Sequence, residues 1–181
     1  MVNVIGLGYI GLPTALMLAS HGVKVVGTDH NEALVKTLRA GKTTFQEKGL
    51  DELFASALAA GIEFTNKYQV TDTYIVSVPT PYDPFSKKVD AKFVCAAVRE
   101  VLNVCPEGAC VVIESTISPG TIDRFVRPLM EKSGKTVSLV HAPERIIPGN
   151  MVYELLHNNR TIGADDPAVG EKVKSIYASF C

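Results

Sequence analysis

The stretch Met1–Asp29, MVNVIGLGYIGLPTALMLASHGVKVVGTD, decides the reading of this chain. Gly6, Gly8 and Gly11 stand in G-x-G-x-x-G order behind an apolar run of Val2, Val4 and Ile5. A helical repeat follows in Ile10, Leu12, Ala15, Leu16, Leu18 and Ala19, and His21-Gly22 reads as its C-terminal stop. A second apolar run, Val23 to Gly27, leads to Asp29, about 20 residues beyond Gly8. Alone, the glycine pattern is a weak signal. Set between strand and helix of one βαβ unit, with an acid at the end of the second strand, it predicts a dinucleotide fold.

The spacing has a chemical reason. Gly6 lets the chain leave the strand in a tight turn, Gly8 removes a Cβ where backbone must approach a pyrophosphate, and Gly11 lets the helix pack close to the sheet. The helix start offers unpaired N–H groups and about half a positive charge to a phosphate. Tyr9 and Ile10, inside the motif, are counted with the three glycines as candidate cofactor contacts. Asp29 can accept hydrogen bonds from the adenosine ribose hydroxyls and would repel a 2′-phosphate, so NAD is expected over NADP. A cationic His30 beside it would soften that repulsion. The plainer alternative is a glycine turn that binds nothing.

Composition narrows the classes. With 46% hydrophobic and 20% charged residues, the 181-residue chain reads as globular and not disordered. A net charge of −1 argues against nucleic acid or an anionic membrane as the main partner. No apolar run reaches the length of a membrane span, and a motif that begins at Gly6 is expected to leave no room for a signal peptide. Cys95, Cys105, Cys110 and Cys181 lack metal or redox spacing and read as apolar fillers in a reducing, cytoplasmic setting. No metal site is expected.

Beyond Asp29 strands and helices alternate. Asn31 caps a helix to about Arg39, Lys42 to Gly49 is loop-like, and Leu50 to Leu58 is helical. Strands are expected at Ile62–Phe64, Tyr74–Val78, Ala109–Ile113, Val137–Val140 and Arg160–Gly163. Between Tyr82 and Val89 a polar loop carries Lys87-Lys88, read as solvated. Asp90 caps the next helix. Ser118-Pro119 reads as N-cap and first residue of another, with a kink or early end near Arg127 forced by Pro128. Tyr153–His157 suits a short helix, and Asp165-Asp166-Pro167 starts one that runs to Cys181. The alternation implies an α/β fold: a doubly wound, mostly parallel sheet with helices on both faces, a Rossmann-type dinucleotide-binding domain over 1–181.

In such a sheet ligands lie at the carboxyl ends of the strands. Pro79 and Thr80 follow one strand, Glu114-Ser115-Thr116 another, and His141 with Glu144-Arg145 a third. They are expected to converge beside the nicotinamide half of the cofactor. Thr116 would position a water or a substrate hydroxyl, and Glu144 would act as general base, its pKa drawn upward by the pocket. Arg145 would either clamp an anion or pair with Glu144. His141 is either a participant or a histidine that is merely hydrogen-bonded, and Pro79 either a cofactor contact or a plain turn.

The segments IGLGYIGLPTA, VPTP, ESTISPGT and APERIIPGN, in that order, resemble the amino-terminal domain of the UDP-glucose/GDP-mannose dehydrogenases over essentially the whole chain. PERIIPGN is more similar to the branch acting on UDP-N-acetylmannosamine than to the UDP-glucose branch. The resemblance implies two NAD-dependent oxidations of a UDP-sugar C6 alcohol to the uronic acid, through a thiohemiacetal and a thioester on a cysteine. It makes Gly6, Gly8, Gly11 and Asp29 NAD contacts, sets Thr80 and Thr116 by the cofactor and the reacting centre, gives Glu144 acid/base work and puts Arg145 on the substrate side; Ser115, between Glu114 and Thr116, is counted as a further candidate cofactor contact. The family's lysine, asparagine and GGHC-type cysteine lie outside these 181 residues. The chain is therefore expected to be one domain of a longer, homo-oligomeric enzyme, and alone to bind NAD without turnover. Two other readings stand beside this one: a free-standing NAD-binding module, and another two-domain Rossmann dehydrogenase of the 6-phosphogluconate or 3-hydroxyacyl type. Within the resembled family, UDP-glucose 6-dehydrogenase is the alternative activity.

Overall fold

A computed structural model describes residues 1–85 and 87–181. Strand β1 (Val2–Ile5) leads through the glycine turn into helix α1 (Gly11–Ser20), then β2 (Val25–Thr28), α2 (Glu32–Arg39), α3 (Leu50–Ala59) and β3 (Glu63–Thr65). The second half runs β4 (Thr73–Val76), β5 (Tyr82–Asp83), β6 (Lys88–Val89), α4 (Lys92–Val104) and β7 (Cys110–Ile113). A π-helical turn (Ile122–Val126) then precedes α5 (Arg127–Ser133), β8 (Ser138–His141), α6 (Met151–His157), β9 (Gly163–Ala164) and α7 (Pro167–Tyr177).

The main sheet has the order β3-β2-β1-β4-β7-β8-β9. Every pairing is parallel except β8 with β9, where Val140 faces Ala164 and His141 faces Gly163. The order in which successive strands are added reverses between β1 and β4, and that is where a doubly wound sheet opens a crevice.

The apolar strand runs are explained by burial on both faces. Val2, Val4, Ile75, Val112 and Val140 pack on one side with α1, α2, α3, α6 and α7. Ile5, Tyr74, Val76, Val111, Ile113 and Leu139 pack on the other with α4 and α5. Helix α1 is buried from Gly11 to Ala19, which is why its sequence is apolar nearly all round. One polar residue interrupts β1: the Asn3 amide donates to Val26 O at 2.9 Å and Thr28 Oγ1 at 2.7 Å, lacing β1 to β2.

Several local expectations are corrected. The loop between Tyr82 and Val89 contains a two-stranded antiparallel ribbon, with Tyr82 opposite Val89 and Asp83 opposite Lys88; Ser86 lies outside the described residues. The N-cap of α4 is Ala91, although the Asp90 carboxylate does accept from Lys92 N–H at 2.9 Å. Ser118-Pro119 does not start a helix: Ser118 O accepts from Thr121 N–H across a turn, and helical geometry begins at Thr121. Pro128 neither ends nor empties the helix. Lacking an N–H for the carbonyl four residues back, it sits in the first turn of α5, and the preceding turn widens to π geometry. Helix α7 stops at Tyr177, short of Cys181. The last strand is β9, Gly163–Ala164, and leaves Arg160 outside the sheet.

Candidate active site

The Gly6 turn needs φ +89°, and a Cβ there would lie 2.4 Å from Ser77 O. At Gly11 a Cβ would lie 1.9 Å from Gly6 O, so the start of α1 is pressed against the loop that feeds it. Gly8 is different: a Cβ there meets nothing within 4 Å. Its bare face opens to the crevice, beside the N-terminus of α1, which carries no side-chain cap. Other open glycines, such as Gly22 and Gly61, are needed for a positive φ, but Gly8 has neither a positive φ nor a crowding neighbour, only space of the kind a pyrophosphate would fill. The residues present fit a dinucleotide.

Asp29 follows β2 and is 8% exposed. Its Oδ2 accepts from Leu7 N–H at 2.8 Å and its Oδ1 from Asn31 N–H at 2.8 Å. The carboxylate is thereby held beside the glycine loop, and each oxygen keeps a further lone pair for a ribose hydroxyl. His30 Nδ1 stands 3.5 Å from Asp29 Oδ1, on a side chain that is otherwise exposed.

Next to this loop lies a cleft of about 340 Å³ lined by Gly8, Tyr9, Ile10, Ser77, Val78, Pro79, Thr80, Glu114, Ser115, Thr116, Glu144 and Ile146. Loops from the ends of β1, β4, β7 and β8 thus meet at the switch point. Arg145 and His141 are not among its walls. Tyr9 is steadied from outside the cleft: its hydroxyl donates to Glu47 Oε2 at 2.5 Å, and the same oxygen accepts from Gly149 N–H at 3.0 Å. The Ser115 hydroxyl is committed to backbone, accepting from Val78 N–H at 2.9 Å and lying 2.7 Å from Val78 O. It braces the 77–80 loop. Thr116, one residue on, is exposed toward the cleft.

Glu144 reaches the cleft, but its partners differ from those expected. Its Oε1 accepts from Arg145 backbone N–H at 2.6 Å, and its Oε2 from the guanidinium of Arg160. The Arg145 guanidinium turns away to Asn159 O at 3.1 Å and is exposed. So the ion pair of Glu144 is with Arg160, a residue sixteen positions further on that no motif marked. The carboxyl that burial pushes upward is Glu114, opposed by the Arg160 cation and a Ser77 hydrogen bond and reinforced by the Glu144 charge. Burial lowers the His141 imidazole pKa, with a Ser115 backbone contact working against it. By the two-residue strand period His141 shares the β8 face of Leu139, the α4–α5 side, and lies half-buried there.

A larger groove of about 750 Å³ opens on the far side of Arg160, between Asn158, Ala164, Lys174 and Tyr177. It lies off the switch point and lacks the glycine loop. Cys95, Cys105 and Cys110 are buried free thiols, Cys181 an exposed one, and burial raises each thiol pKa, so none has the environment of a reactive thiolate. Among the described residues no His/Cys/Asp/Glu group could hold a metal ion, and no helix is long and apolar enough to cross a membrane.

Comparison with known proteins gives this site a context. The NAD-binding-domain model of the UDP-glucose/GDP-mannose dehydrogenase family matches residues 1–181. A UDP-N-acetyl-D-mannosamine dehydrogenase from Methanococcus aeolicus is 42% identical over 182 residues, covering 99% of this chain and 42% of that protein. The solved UDP-N-acetyl-mannosamine dehydrogenase of Staphylococcus aureus superposes with a TM-score of 0.92 at 39% identity, over 99% of this chain and 45% of that one. A ternary complex of GDP-mannose dehydrogenase from Pseudomonas aeruginosa gives 0.89 at 25% identity, over 99% and 44%. The chain spans less than half the length of each of these relatives.

Proposed function

The chain belongs to the UDP-glucose/GDP-mannose dehydrogenase family and has the fold of its NAD-binding domain, and from that premise we propose that it serves an enzyme oxidising the C6 alcohol of UDP-N-acetylmannosamine to the uronic acid. The observation that carries this reading is the cleft at the switch point, where the open face of Gly8 and the bare N-terminus of α1 meet Thr116 and Glu144. The names of the Methanococcus aeolicus and Staphylococcus aureus relatives support the choice of sugar.

NAD, when bound, supplies the hydride acceptor. The chain's own residues do the rest of what can be assigned here. The loop at Gly6, Gly8, Tyr9, Ile10 and Gly11 receives the pyrophosphate against the start of α1, and Asp29 holds the ribose. Pro79, Thr80 and Ser115 shape the wall beside the nicotinamide. Thr116 orients a hydroxyl or a water, and Glu144 takes the proton at its carboxyl; Arg145, held by Asn159 O outside the cleft, would have to leave that contact to meet the substrate. Residues 1–181 form the cofactor domain of a longer, cytoplasmic homo-oligomer, and alone they bind NAD and do not turn over.

A fluorescence titration with NADH tests the core of this. The wild-type chain should bind saturably, and Gly8→Val should lose at least ten-fold in affinity while its circular dichroism is unchanged; equal affinity in the variant would sink the assignment. Asp29→Asn should narrow the preference for NADH over NADPH, and an unaltered ratio would remove the ribose contact.

A further inference from the structure

Neither the glycine motif nor the family resemblance points to Arg160 or Tyr177, yet with Glu114 and Glu144 they form a charged cluster in the interior. The Arg160 side chain is 5% exposed and that of Glu114 0%. Arg160 Nη1 donates to Glu114 Oε1 at 2.7 Å and to Ala142 O at 3.4 Å, while Nη2 donates to Glu144 Oε2. The guanidinium lies over the Tyr177 ring, 4.1 Å from its centroid. Glu114 Oε1 also accepts from Thr14 Oγ1 at 3.2 Å and from Tyr177 OH at 3.3 Å.

The cluster has a direction. Glu114 is gripped by Thr14 of α1, a helix buried along its length, and by Tyr177, a buried residue at the end of α7. Arg160 is gripped by Glu114, by the Ala142 carbonyl and by the Tyr177 ring. Glu144 belongs to a segment without regular structure, and beyond its neighbour's N–H it is held by Arg160. We propose that Arg160, clamped from behind by Glu114, is the positioning residue that fixes the Glu144 carboxyl at the cleft. This rests on the reading of Glu144 as the acid/base group.

Two arguments favour it. First, burying two carboxyls and a guanidinium is a poor way to gain stability, since apolar residues of similar volume commonly do as well or better. Second, the two carboxyls come from different segments, and one planar fork with donors at fixed angles can hold both. An ammonium would supply the charge without the geometry.

NMR relaxation on the 181-residue chain reads the hierarchy. In the wild type the Glu144 methylenes should be as ordered as rigid backbone, with order parameters of about 0.85. Arg160→Lys keeps the charge but should release Glu144 to below about 0.6. Glu144→Gln, at the cleft end of the cluster, should leave the Arg160 guanidinium rigid, because its clamp lies behind it. Slow amide exchange in β4 and β7 checks that each variant is folded; if Arg160→Lys is not, Glu144→Gln still tests the order of dependence. Glu144 staying rigid in Arg160→Lys, or Arg160 loosening in Glu144→Gln, overturns the proposal. NADH titration of the wild type is a separate readout: its failure would remove the cofactor reading and leave the NMR result interpretable.

Discussion

Three glycines share one motif but not one role, and substitution separates them. Gly11→Ala drives a methyl into Gly6 O, so it should destabilise the chain by about 3 kcal/mol in urea denaturation. Gly8→Ala has room and should change stability by less than about 0.5 kcal/mol, although Gly8 lines the cleft. His141 gives a prediction in pH. Burial lowers its folded pKa below the ordinary 6.5, so the unfolded chain takes up the proton first. The stability it contributes is complete above pH 6.5 and is lost as pH falls from there through its folded pKa. Replacing it by Gln should flatten the stability profile on that acidic side; an unchanged slope would mean that the imidazole takes the proton equally well in both states. At this scale the sequence was readable where chemistry is local. Gly6, Gly8 and Asp29 announce themselves by spacing, whereas Arg160 is meaningful only through Glu114 and Glu144, which the chain brings to it from 46 and 16 residues away.

Elements were legible where their signals lie within a turn or two. Asn31 does cap α2, its side chain accepting from Leu34 N–H, and Asp166 caps α7 by accepting from Ala168 N–H. Asp166→Ala should cost about 1 kcal/mol of stability by denaturant midpoint, without affecting NADH binding. Around Pro128 the sequence signalled a disturbance but not its form. A proline can be met by stopping the helix, bending it or widening the turn before it. The choice is made by packing, here by Val126 and Met130, both buried against the β7 and β8 face. The β5–β6 ribbon escaped notice because a ladder of two residues has no period to detect.

For the whole molecule the alternation of strand and helix was enough to give a doubly wound sheet, because parallel strands buried on both faces leave long apolar runs. The one reversal, β9, is two residues long and sits at the edge, where directionality leaves no mark in composition. Hydrogen exchange should follow this layout. Amides of β1, β4 and β7, central and covered on both sides, should exchange slowest, and those of β9 and the β5–β6 ribbon fastest. A protected β9 would mean that the edge is covered in solution by something further.

The cleft also carries a timetable. Its walls come from residues 8–10, 77–80, 114–116 and 144–146, and behind them Thr14 reaches Glu114 across 100 residues of chain. A nascent chain that has just released β2 already owns its phosphate loop, but no chamber for that loop to serve. The chamber closes only when β8 has joined the sheet and Arg160 has emerged to seat Glu144. A ligand that needs all four walls favours the finished fold over any partly assembled one, and by mass action a dinucleotide held there would draw the population toward completion.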